Sequence, residues 1–66
     1  MQILFNQTPT EVPPRCSISD LLLLQNVSTS FTAVAVNLSV IPKHQWAQTR
    51  LREGDKVTVI GAAKGG

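Results

Sequence analysis

Cysteine and histidine are nearly missing from this 66-residue chain, with Cys16 and His44 the only ones of their kinds. A lone cysteine excludes an internal disulfide and suits a reducing compartment. One thiol and one imidazole cannot fill a zinc site without carboxylates. They also lie too far apart in sequence for a nucleophile–base pair to be assumed, and Cys16 reads as a small residue preceding a helix. Acids are scarce as well. Of four, Glu53 and Asp55 flank a turn glycine and Asp20 stands in a helix-capping position. The glycines, at 54, 61, 65 and 66, match neither nucleotide-binding loop pattern. No apolar run exceeds four residues, as in Leu21 to Leu24, which is far short of a membrane span. The opening Met1-Gln2-Ile3-Leu4-Phe5-Asn6 lacks the basic and hydrophobic regions of a signal peptide. Six basic residues, Arg15, Lys43, Arg50, Arg52, Lys56 and Lys64, are scattered and leave a net charge of only +2, too little to argue for nucleic acid. These absences leave no self-contained active site, metal centre or nucleic-acid surface, and point to a soluble cytoplasmic domain without a membrane partner.

What is present belongs to a folded chain: 42% of residues are hydrophobic and 15% charged. The length allows one domain, which buries only about 60% of its unfolded surface, so the core must be economical. Gln2 to Asn6, with Ile3, Leu4 and Phe5 in a row, predicts a strand buried on both faces. Thr8 to Val12 alternates weakly. Pro9, Pro13 and Pro14 each lack a ladder donor, so any strand there lies at a sheet edge. Ser17-Ile18-Ser19-Asp20 predicts the start of the one convincing helix, with Ser17 and Asp20 forming a capping-box-like pair. Ile18, Leu21 and Leu22 share its inner face. Leu23 and Leu24 point partly outward and are expected to add to the core rather than to form a partner surface.

Asn26 to Ser30 predicts a polar loop, and Thr32 to Asn37 a second buried strand. Asn37-Leu38-Ser39 predicts a tight connection, Asn37 tolerating the left-handed conformation. Val40-Ile41 returns as a short strand that Pro42 stops. Lys43 to Gln48 suggests a single helical turn carrying Trp46 inward, where it anchors the turn after Pro42. Glu53-Gly54-Asp55 is a turn signal, and Lys56 to Ile60 a β-branched run of strand length.

The order is thus strand, strand, helix, strand, short strand, strand. First and last strands that are apolar on both faces belong side by side at the sheet centre. A single helix then covers one face. The implied class is α+β: a β-grasp (ubiquitin-like) fold with a mixed sheet of four to five strands wrapped around one main helix. The first hairpin is antiparallel and the last strand runs parallel beside the first. The expected core is Ile3, Phe5, Ile18, Leu21, Leu22, Val34, Val36, Val57 and Val59. Residues 1–60 form this body.

Residues 61–66 are expected to form a flexible tail. Beyond Ile60 no side chain is larger than Ala except Lys64, a solvated charge beside the tip, so nothing offsets the entropy of fixing the chain. Six residues reach about 20 Å when extended. Gly65-Gly66 makes the tip as slim as a polypeptide can be, suited to a channel that admits only backbone. The distinctive reactive group is then the Gly66 carboxylate. Its negative charge makes it a poor electrophile, so it needs activation, most simply as a mixed anhydride with AMP. This chain has no machinery for that, so a partner enzyme is implied.

The sequence resembles the bacterial thiamin-pathway sulfur carriers, the ThiS family, along essentially its whole length. The resemblance rests on Met1-Gln2-Ile3-Leu4-Phe5-Asn6, on Ser17-Ile18 with Asp20-Leu21-Leu22, and on Ala33-Val34-Ala35-Val36-Asn37. It continues through Val40-Ile41-Pro42-Lys43, Trp46-Ala47-Gln48 and Glu53-Gly54-Asp55 to Gly65-Gly66. It implies that Gly66 is adenylated by an E1-like adenylyltransferase using ATP. Gly66 is then converted to a thiocarboxylate with sulfur from a donor such as a cysteine desulfurase system, and passes that sulfur to thiazole synthase. Gly65 and Lys64 enter the partner with it, and no cofactor is bound by the carrier itself. Lys64 stands where family tails usually hold a small or apolar residue, and Leu21 to Leu24 is more apolar than usual. Two alternatives remain beside this reading: a carrier for another pathway such as molybdopterin synthesis, and a ubiquitin-like interaction module with an inert tail.

Overall fold

The computed structural model describes residues 1–27 and 32–61. Strands β1 (Gln2–Phe5) and β2 (Thr8–Glu11) precede helix α1 (Ile18–Leu24). Strands β3 (Thr32–Val36) and β4 (Ser39–Ile41), a 3-10 turn at Lys43–Gln45, and β5 (Lys56–Gly61) come after it. The five strands form one sheet in the order β2-β1-β5-β3-β4. β5 runs parallel to β1, with Leu4 beside Lys56 and Phe5 beside Val57, and antiparallel to β3. The adjacency and direction expected of the terminal strands are therefore present. β2 is an edge strand, where Pro9, opposite Leu4, costs no central ladder bond.

Each hairpin turns on two residues in the left-handed region. Asn6 and Gln7 have φ of 49° and 71°, and Asn37 and Leu38 have φ of 51° and 74°. Two-residue turns of this hand match the twist of the strands they join, and Asn tolerates the first position. β1 therefore stops at Phe5 and β3 at Val36, each one residue short of the sequence expectation. Asn37 also ties the turn to β5. Its Nδ2 donates to Asp55 Oδ1 (3.1 Å) and its Oδ1 accepts from Lys56 N–H (3.0 Å). We expect Asn37→Ala, which loses both bonds and the left-handed tolerance, to cost about 1–3 kcal/mol. Asn37→Gly keeps the conformation and should cost less. Chemical denaturation of the two variants checks the order.

Helix α1 begins as its sequence prescribes. Ser17 Oγ accepts from Asp20 N–H (3.0 Å), and Asp20 Oδ2 accepts from Ser17 N–H (3.2 Å), completing a capping box. Ile18, Leu21 and Leu22 are fully buried against Ile3, Val34 and Val57 of the sheet. Phe5, Val36 and Val59, expected in the core, pack against it only partly buried. Val12, Cys16 and Leu51 complete the core and were not expected there. Their backbones explain this, because Leu51 N–H donates to Cys16 C=O (2.8 Å) and Ile18 N–H to Thr49 C=O (3.1 Å). These bonds dock the loop before β5 onto the helix start.

Two expectations are corrected. Leu23 and Leu24 are not core but 79% and 57% exposed. The helix is seven residues long. At about 100° per residue Leu23 falls opposite the Ile18–Leu21–Leu22 face. Nor are the apolar strands buried on both faces. One helix covers one face, leaving Leu4 half-buried and Ala33 and Ile60 exposed on the other.

Trp46 is as the sequence suggested. The turn is a short 3-10 helix, Lys43–Gln45, after which Trp46 is buried and its Nε1–H donates to Ile41 C=O (2.9 Å).

Candidate functional site

The residues singled out for chemistry, Lys64, Gly65 and Gly66, lie outside the described residues. So does the rest of the expected tail, except Gly61, which is the last residue of β5 and pairs with Thr32. The strand thus runs one residue beyond the expected Lys56 to Ile60. What the structure shows is the mount from which the last five residues leave.

The mount begins at the turn preceding β5. Gly54 has φ of 84°, a conformation that strains any L side chain. Asp55 N–H donates to Arg52 C=O (3.0 Å), and Asp55 Oδ2 accepts from Arg52 N–H (2.8 Å). Gly54 N–H donates to Gln2 C=O (2.8 Å), while Glu53 Oε1 accepts from Gln2 N–H (3.0 Å), clamping the turn to the start of β1. Glu53 and Asp55 are therefore structural, as expected.

Further along, β5 is gripped from both neighbouring hairpins. On the β3 side, Asn37 N–H donates to Lys56 C=O (2.8 Å) and Asn37 Oδ1 takes Lys56 N–H. On the β1 side, Asn6 N–H donates to Val57 C=O (2.8 Å), and Asn6 Oδ1 takes Val59 N–H (2.8 Å). The contribution of Asn6 was missed from sequence. The signal that would have found it is an Asn placed two residues before a second strand, the pattern of a left-handed hairpin turn.

Elsewhere, the body offers little reactive chemistry. Among the described residues no three of His, Cys, Asp and Glu come together as metal ligands. No helix among them is long and apolar enough to cross a membrane. A shallow hollow of about 330 Å³ on the uncovered sheet face is lined by Leu4, Gln7, Asn37, Leu38, Lys56, Val57 and Thr58, with Lys56 its one ionisable group.

Cys16 is buried, and its Sγ–H donates to Ser17 C=O (3.4 Å). Burial pushes the thiol pKa up, with the nearby Asp20 carboxylate adding to the rise. A thiol held protonated is a poor nucleophile. The folded state then keeps a proton that the unfolded state gives up, so stability is fully present below the ordinary thiol pKa of 9.0. It falls as pH rises above that value. We expect the Cys16→Ala variant to lack this alkaline decline, measured as denaturation midpoints between about pH 7 and 10.

A mixed sheet over one helix, with first and last strands parallel neighbours and the last feeding the terminal residues, defines a β-grasp, ubiquitin-like domain. The chain is similar in fold to a crystal structure of the thiamine biosynthesis protein (ThiS) from Geobacter metallireducens. That match has a TM-score of 0.81 and 23% identity and covers 100% of both chains. An NMR solution structure of a thiamine biosynthesis protein from the same organism matches at TM-score 0.78 and 23% identity, covering 100% of this chain and 88% of that one. The family follows from sequence. The ThiS family model matches residues 3–66. The sulfur carrier protein ThiS of Escherichia coli (strain K12) is 30% identical over 66 residues, 100% of each chain. The chain belongs to the ThiS family.

Proposed function

We propose that this protein is a sulfur carrier in thiamin biosynthesis, a protein co-substrate rather than a catalyst, working in the cytoplasm with Gly66 as its reactive residue. The observation that carries the reading is the end-to-end match to the E. coli sulfur carrier, which runs through Gly65-Gly66 with no part of either chain left over. The mount supports it. β5 is fixed by backbone and Asn side-chain bonds on both flanks just before the small-residue tail begins.

In this reading the Gly66 carboxylate attacks the α-phosphate of ATP in an E1-like adenylyltransferase, and pyrophosphate leaves. The acyl carbon, now bonded to AMP, is attacked by the terminal sulfur of a persulfide from a donor such as a cysteine desulfurase system, and AMP leaves. A second thiol then attacks the donor sulfur of the acyl disulfide, forming a disulfide with the donor cysteine and releasing the thiocarboxylate. The resulting thiocarboxylate hands its sulfur to thiazole synthase. Entry into the partner's active site asks for a tip thin enough to pass, which Gly65 and Gly66 offer, with Lys64 entering behind them.

The test is growth rescue of a thiamin-requiring strain deleted for its own carrier. Rescue is expected, together with a mass gain of one oxygen-to-sulfur exchange located at Gly66. Rescue of a molybdopterin-carrier deletion strain instead would assign the protein to that pathway, and rescue by a chain extended beyond Gly66 would overturn the carrier reading.

A further inference from the structure

Beyond Val57, where its pairing with β1 ends, one side of β5 has no neighbouring strand among the described residues. Lys56 bonds toward β3 through Asn37, and Val57 C=O accepts from Asn6 N–H on the β1 side. Ladder groups of successive strand residues alternate in direction, so the backbone groups of Val59 and Gly61 also point to the β1 side. There β1 has already ended at Phe5, and Asn6 Oδ1 satisfies only Val59 N–H. Past that bond, Val59 C=O and both backbone groups of Gly61 face a side along which no strand lies among the described residues. On the other side β3 keeps pairing as far as Thr32 opposite Gly61, so this segment is held in strand geometry with one edge open.

An open edge is a template for an added strand. The residues after Gly61 narrow the choice of occupant. Ala62-Ala63-Lys64-Gly65-Gly66 offers one side chain larger than a methyl group. A partner that receives this tail must therefore read mostly backbone, and strand addition does so without side chains. The edge at Val59–Gly61 leads directly into that segment and is already aligned for the same ladder.

We propose that the activating enzyme, as it receives this tail, lays an extended segment of its own against the open edge of β5 at Val59–Gly61, taking the place in the sheet that β1 vacates after Phe5. This rests on the carrier reading and adds how the partner grips the body before the tip reaches its active site. Gly61 N–H is the central donor of the contact.

The experiment isolates that N–H. A Cβ at Gly61 meets only Thr32 Oγ1, at 3.7 Å, an ordinary contact. Gly61→Ala thus keeps the donor and the fold. Gly61→Pro removes the N–H on the open side, where no bond to β3 is lost. A semisynthetic protein with an ester in place of the Ile60–Gly61 amide removes it without a ring and guards against misfolding of the Pro variant. The activating enzyme's KM for each carrier is measured alongside its unfolding midpoint. Gly61→Ala is expected to stay within about twofold of the parent, whereas loss of the donor, leaving a partner acceptor unpaired, raises KM about tenfold with the midpoint nearly unchanged. A parent that is modified while the ester variant shows the same KM overturns this inference alone. A parent that is never modified overturns the carrier reading and the inference with it.

Discussion

Removing Gly65-Gly66 is expected to leave the unfolding midpoint nearly unchanged while abolishing adenylation by the partner enzyme. Ala and Gly bury almost no apolar area, so residues beyond Gly61 can contribute little to a fold whose core is closed by Ile3, Ile18, Leu21, Leu22, Val34 and Val57. The chemistry, by contrast, has no other carboxylate in the right place, because Glu53 and Asp55 are committed to the turn before β5. On the proposed carrier reading, replacing Gly65 by Val adds a branched Cβ to a tip expected to enter a narrow channel, and should impair the reaction while leaving the Gly66 carboxylate intact. ATP–pyrophosphate exchange and intact mass, read beside a thermal melt, separate these outcomes. Equal modification of the truncated protein would show that Gly66 is not the reactive residue.

The largest effect on stability is expected from Trp46→Ala. Its ring is buried at 3% exposure, and truncating a buried aromatic costs about 3–5 kcal/mol. That is a large fraction of the total for so small a domain. Trp46 also joins three elements. Its Nε1–H reaches Ile41 at the end of β4, its N–H bonds to Lys43 C=O (3.1 Å), and its C=O accepts from Ser19 N–H at the helix start (3.4 Å). Trp46→Phe keeps most of the packing and loses the indole bond, so a cost of about 1–2 kcal/mol is expected. Denaturant titration of both variants gives the comparison. An unchanged midpoint for Trp46→Ala would reassign Trp46 to an exposed partner surface.

Much of this protein was legible because its signals are local. The Ser17–Asp20 capping box, the left-handed Asn37, the turn at Gly54 and the stop at Pro42 each depend on a few neighbouring residues, and each is present where those residues stand. Strand order came from counting elements, since one helix allows few ways to cover a sheet. The candidate site is read from composition alone, as a tail of small residues ending in Gly65-Gly66, and it lies outside the described residues.

Tertiary structure decided which apolar side chains are buried, because burial needs a second surface. Leu21 and Leu23 are the same residue type two positions apart, yet one is sealed against the sheet and the other lies 79% exposed. Val57 and Ile60 share a strand, but only the face turned toward α1 is covered. Leu51, in a segment without periodicity, and Val12, at the end of a weakly alternating one, became core because backbone bonds from distant residues drew them onto the helix start and β1. The open edge at Gly61 was invisible for the same reason. It exists because β1 turns away at Asn6 while β5 continues beside β3, a mismatch between strands from opposite ends of the chain.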